Sequence, residues 1–122
     1  MTGETIKLIL EDVADNIFNP DPYYQQGGDM VRVGGMTYTI EPGALIGSRI
    51  SDMRIEGVLI DPNKVYKVAG WAPVRKDASG ELVWDLVSRW LKHKKIVSSK
   101  NLNTPRIKGF DGSLGMTERC GV

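Results

Sequence analysis

Residues 36–69, MTYTIEPGALIGSRISDMRIEGVLIDPNKVYKVA, hold three β-prone runs separated by turn formers, and their reading decides the fold. Met36–Ile40 is rich in β-branched and aromatic side chains and is ended by Glu41-Pro42-Gly43. Arg49 to Glu56 alternates as a strand does, which sets Ile50 on one face and Met53 and Ile55 on the other. Gly57 marks a turn, Val58 to Ile60 a short return, and Asp61-Pro62-Asn63 a second turn. Lys64 to Trp71, with Val65, Tyr66, Val68 and Ala69, follows as a third strong strand. Short runs joined by turns of this kind predict an antiparallel meander.

Upstream of the meander, an amphipathic helix is predicted from about Gly3 to Ile17, with Thr2 as its N-cap. Ile6, Ile9, Leu10, Val13 and Ile17 recur at helical spacing, while Lys7, Glu11, Asp12 and Asp15 face elsewhere. Asn19-Pro20-Asp21-Pro22 stops the helix, because proline lacks an N–H and biases its predecessor toward extended backbone. Two Gly-Gly pairs then bracket a short strand, Met30 to Val33. Downstream, a second helix is predicted from about Gly80 to Lys95, with Ser79 as N-cap. Leu82, Val83, Leu86, Val87, Trp90 and Leu91 form its apolar face, and Lys92, His93, Lys94 and Lys95 gather where cations suit the helix dipole. A short strand at Arg106 to Lys108 closes the sheet, and a loose tail follows from Asp111. The pattern is α+β: a mainly antiparallel sheet with two flanking helices, one domain over 1–110 and a flexible tail over 111–122.

Composition bounds the chemistry. The 122 residues are enough for one domain with a real core, 41% are hydrophobic and 25% charged, and the net charge of +1 supplies no global attraction to nucleic acid or an acidic membrane. Met1-Thr2-Gly3-Glu4 has neither a basic n-region nor an apolar h-region, so no signal peptide is expected in the sequence as it stands. A zinc or dinuclear centre needs several His, Asp or Cys ligands converging on one point. The single histidine, His93, sits in a Lys-rich helix end and is expected to be solvated there. The single cysteine, Cys120, lies in the Gly-rich tail, where it is either an incidental thiol or a reactive one. No catalytic residue and no metal ligand is expected in this chain.

Two stretches stand out. Asn19 to Gly35 crowds two prolines, two tyrosines, two glutamines and four glycines together. It is either a plain helix-to-strand connection or a recognition loop, in which Tyr23 and Tyr24 offer rings and hydroxyls and Arg32 a planar fork for an oxyanion. Gly70-Trp71-Ala72-Pro73 ends the third strand, where Trp71 either packs in the core or floors a pocket.

In order and spacing these motifs resemble the C-terminal domain of the 5′-nucleotidase family. Thr2-Gly3-Glu4 leading into a helix with Leu10-Glu11, Gly27 to Gly35, the Arg49-Ile50 hairpin, Asp61-Pro62 and Val65-Tyr66-Lys67-Val68 carry the similarity over roughly residues 2 to 110. Asn19 to Arg32 and Val68-Ala69-Gly70-Trp71-Ala72-Pro73-Val74 are similar to the family's thiosulfohydrolase branch, SoxB. Nucleotidases of the family carry Asn-Phe and Gly-Gly-Asp-Gly after the Tyr-x-Val strand. Their absence here argues against a nucleoside substrate.

The resemblance implies that family strands and a helix precede Thr2, along with a metallophosphoesterase-like N-terminal domain holding two metals, manganese in this branch. It also implies hydrolysis of sulfate from a cysteine-bound thiosulfonate on the carrier SoxYZ, in the periplasm, with no nucleic acid or membrane partner. Substrate contacts are expected from Arg32, with Tyr24, Asp29 and Trp71 as neighbours. Two other readings stay open: the C-terminal domain of a nucleotidase or related phosphoesterase, and a carrier-docking module without catalysis.

Overall fold

A computed structural model describes residues 1–70, 80–98 and 103–109. Helix α1 spans Gly3–Phe18, strand β1 Met36–Ile40, β2 Ile50–Ile55, β3 Val58–Leu59, helix α2 Val83–Lys94 and β4 Arg106–Ile107. The strands form one sheet in the order β3-β2-β1-β4. β1, β2 and β3 are the expected antiparallel meander, and β4 joins the other side of β1 in parallel. The class is α+β with a mostly antiparallel sheet. The expected tail over 111–122, with Cys120, and the Ser79 cap lie outside the described residues.

Thr2 caps α1 as expected: its extended backbone lets Oγ1 accept from the Thr5 amide at 3.1 Å. Leu10 and Ala14 are buried against Met36, Tyr38, Ile40 and Ile50, and Ile6 and Phe18 flank them. The buried row on α1 thus runs Gly3, Leu10, Ala14, rotated from the face expected from Ile9, Val13 and Ile17. Small residues explain the rotation, since they let the helix approach closely. A Cβ at Gly3 would collide with the Asp61 carbonyl and the Ile60 side chain. Glu11, expected to face away, is only 3% exposed.

Strict alternation fails once, in β2. Ile40 pairs with Ile50 and Thr39 with Ser51, but Thr37 pairs with Arg54 and Met36 with Ile55, so one extra residue lies on β2. A bulge of this kind shifts the side-chain phase by one residue. Asp52 takes the strain with φ +49°, and Ile50, Met53 and Ile55 all reach the same core.

Two expected strands are not strands. Met30 and Val33 pack on the core, but 30–33 is irregular, because its backbone groups find no neighbouring strand among the described residues. In 64–70 the pairing shrinks to one bridge, Thr2 with Val65, flanked by Gly3 N donating to Lys64 O at 3.1 Å and Tyr66 N to Met1 O at 2.8 Å. That segment spends its hydrogen bonds on the chain's N-terminus rather than on the sheet. Helix α2 differs from α1 in surroundings: among the described residues it packs on no other element, and none of its residues is buried.

Candidate functional site

The loop over 19–35 leaves the C-terminus of α1, and a buried charge network fixes that departure point. Arg49, 2% exposed, donates from Nη1 to Asp15 Oδ1 at 2.6 Å, from Nη2 to the Phe18 carbonyl at 3.1 Å, and from Nε to the Pro42 carbonyl at 3.3 Å. A guanidinium so placed satisfies a carbonyl left free by the helix end. The Arg49 hydrogen bond, and next that of Asn19, holds the Asp15 carboxyl below the usual carboxylate range. Glu11, one helical turn earlier on α1, holds the connection between β1 and β2. Its carboxylate accepts from the amides of Gly47 at 2.8 Å, Arg49 at 3.3 Å and Ile50 at 2.8 Å.

Beyond this anchor the loop folds on itself. Asn19 Oδ1 accepts from the Asp21 amide at 3.0 Å and Asp21 Oδ1 from the Tyr23 amide at 3.0 Å, two Asx turns in succession. Gln25 Nε2 returns to the Asn19 carbonyl at 2.7 Å, and the Gly27 amide reaches Asn16 O at 2.9 Å. Gly27 and Gly28 adopt φ +75° and +100°, which glycine tolerates, to turn the chain toward Met30.

Tyr23 and Tyr24 stand 96% and 67% exposed on this rigid base. Asp29 and Arg32 are exposed as well. Tyr24, Asp29 and Arg32 therefore share one loop, and no hydrogen bond or ion pair joins their side chains among the described residues. Trp71 lies outside the described residues. Sequence reasoning missed Asp15 and Arg49, which hold the root of the loop, and Glu11, which ties α1 to the 47–50 backbone. The available signal was an acidic residue four positions from Lys7 and three from Ala14 on the helix, and an arginine at the start of a strand.

Comparison with curated proteins finds no match. Residues 1–86 match the family described as 5′-nucleotidase, C-terminal domain. The chain belongs to that family. Among solved structures it is similar to the sulfate thiohydrolase SoxB of Thermus thermophilus, determined in complex with glycerol: 27% sequence identity, TM-score 0.65, 89% of this chain covered. The chain spans 21% of the length of that SoxB chain.

For this 5′-nucleotidase C-terminal domain, the geometry supplies a shaped, hydrogen-bonding surface. Among the described residues no group of three or more His, Cys, Asp or Glu side chains is placed to hold a metal ion, so an implied metal pair finds no ligand set there. No helix among them is long and apolar enough to cross a membrane.

Proposed function

We propose that this domain is the substrate-covering part of a thiosulfohydrolase of the SoxB type, which hydrolyses sulfate from a cysteine-bound thiosulfonate on the SoxYZ carrier in the periplasm. The likeness to SoxB over 89% of the chain supports the reading. The metal pair, manganese in this proposal, belongs to an N-terminal domain and supplies a hydroxide nucleophile when bound. The contribution of this chain is recognition. The Arg32 guanidinium offers a bidentate fork to the sulfonate oxygens, Tyr24 a ring and a hydroxyl, and Asp29 and Trp71 the adjoining walls. Arg49 acts through position alone, by holding the root of that loop.

Arg32→Ala in the full-length enzyme is the test. A drop of about tenfold or more in kcat/KM on the carrier-bound substrate is expected from losing a charge-assisted pair. Unchanged kinetics would remove Arg32 from the site. The domain alone, given manganese, is expected to turn over nothing, and clear turnover would sink the division of labour.

The family match favours a second reading, the C-terminal domain of a nucleotidase or related phosphoesterase. Saturable quenching of Trp71 fluorescence by a nucleotide would select it. Carrier capture by a catalytically silent full-length protein, lost in Arg32→Ala, would instead select a docking module.

A further inference from the structure

The sheet face turned away from α1 holds a polar groove of ≈ 300 Å³ that the reading above does not use. Strand pairing builds it. Thr37 lies opposite Arg54 on antiparallel β2, and Thr39 lies beside Arg106 on parallel β4, so two hydroxyls and two guanidiniums share one face. Asp52 and Thr104 complete the lining. The β2 bulge matters here, because it brings Asp52 within 2.8 Å of Arg54 Nε. Arg54 Nη1 also donates to the Gly57 carbonyl at 2.9 Å. These two bonds fix the plane of the guanidinium, and Nη2 is left without a partner among the described residues.

Two observations set the groove apart from an ordinary solvated sheet face. Thr39 is only 4% exposed, and it lines the groove between Thr37 and Arg106. Arg106 beside it is exposed and makes no hydrogen bond or ion pair among the described residues. Arg54 offsets the charge of Asp52, so among the described residues the groove keeps an uncompensated cation at Arg106. Threonine hydroxyls that share a groove with two guanidiniums suit a compact acceptor-only ligand.

We propose that this groove binds a tetrahedral oxyanion, sulfate or phosphate, with Arg106 and Arg54 Nη2 as charged donors and Thr37, Thr39 and Thr104 as hydroxyl donors. The site is separate from Arg32 and its loop, so its failure would leave the thiosulfohydrolase reading standing.

The test titrates the 122-residue chain with sodium sulfate and, separately, sodium phosphate, each against sodium chloride at matched ionic strength. Arginine Nε–Hε and threonine methyl NMR signals report on the groove. Saturable shifts at Arg54, Arg106 and Thr39 are expected with at least one oxyanion, and which salt saturates first distinguishes sulfate from phosphate. Arg106→Gln is expected to weaken binding about tenfold. Lys94→Gln, on α2, is expected to leave it unchanged and so controls for diffuse charge. The Arg106 side chain bonds nothing among the described residues, so a dispersed amide spectrum is expected in its variant, and Thr37→Ala gives a second, smaller weakening. Shifts that rise linearly in all three salts would overturn the proposal. So would equal affinity in a folded Arg106→Gln variant.

Discussion

Helices α1 and α2 carry the same kind of amphipathic pattern and meet different fates. α1 begins on a Thr2 side-chain cap, buries Leu10 and Ala14, and sends Glu11 and Asp15 into a network with the 47–50 backbone and Arg49. α2 begins at Leu82 with no side-chain cap, and keeps Trp84, Val87, Trp90 and Leu91 between 45% and 63% exposed. Its one ion pair among the described residues, Arg89 with Glu81, is local. The difference teaches that an apolar stripe states a demand for burial but does not name the surface that meets it. What fixes α1 is the polar network beside the stripe, since three backbone amides and a carboxylate are directional where apolar contact is not.

That contrast can be broken experimentally. The largest effect is expected from Glu11→Ala, which leaves three amides of the 47–50 segment unpaired inside the fold and should destabilise it by about 4 kcal/mol. Urea denaturation measures it, and a loss below about 1 kcal/mol would make the network dispensable. Leu10→Ala comes next, at about 3 kcal/mol in the same assay. A value near that of an exposed residue would mean that α1 is no better packed than α2.

Asp15 gives an effect graded by pH. Its folded-state pKa is depressed by Arg49 first and Asn19 second, so its stabilisation is present above the unfolded value and is lost as pH falls through the folded one. The loss therefore lies below about pH 4. Asp15→Asn is expected to flatten the acid limb of the stability profile, and an unchanged limb would place the acid sensitivity elsewhere.

Thr2→Ala should remove about 1 kcal/mol, visible as a lower thermal midpoint, because a cap donor loses its acceptor. The smallest effect belongs to α2. Trp90→Lys is expected to change stability by less than about 0.5 kcal/mol, as surface substitutions do. A loss above about 1 kcal/mol would show that α2 is docked in solution, and the comparison between the two helices would fall.

Much of the fold was legible in residues alone, and the reasons are local. The Thr2 cap, the Asn19-Pro20 stop and the turns at Gly57 and Asp61-Pro62 act within a few residues, and the structure places element boundaries close to them. The rest depended on partners far along the chain. Glu11 looked solvent-facing because its partners, 36 to 39 residues away, are backbone amides that carry no sequence signature. Residues 64–70 looked like a strand because their side chains are β-prone, but strand status needs a neighbour, and the neighbour was three N-terminal residues. Of the candidate site, Tyr24, Asp29 and Arg32 were readable as an exposed, glycine-bounded loop. The Arg49 anchor beneath them was not.

By itself the sequence determined where helices and turns form and the α+β class, because these follow from short-range sterics. Only the tertiary structure decided the phase of β2 past Asp52, the burial of Glu11 and Arg49, and the meeting of Thr39 with Arg106. Each of these depends on strand register, and register is set by the simultaneous fit of segments that the chain brings together only on folding.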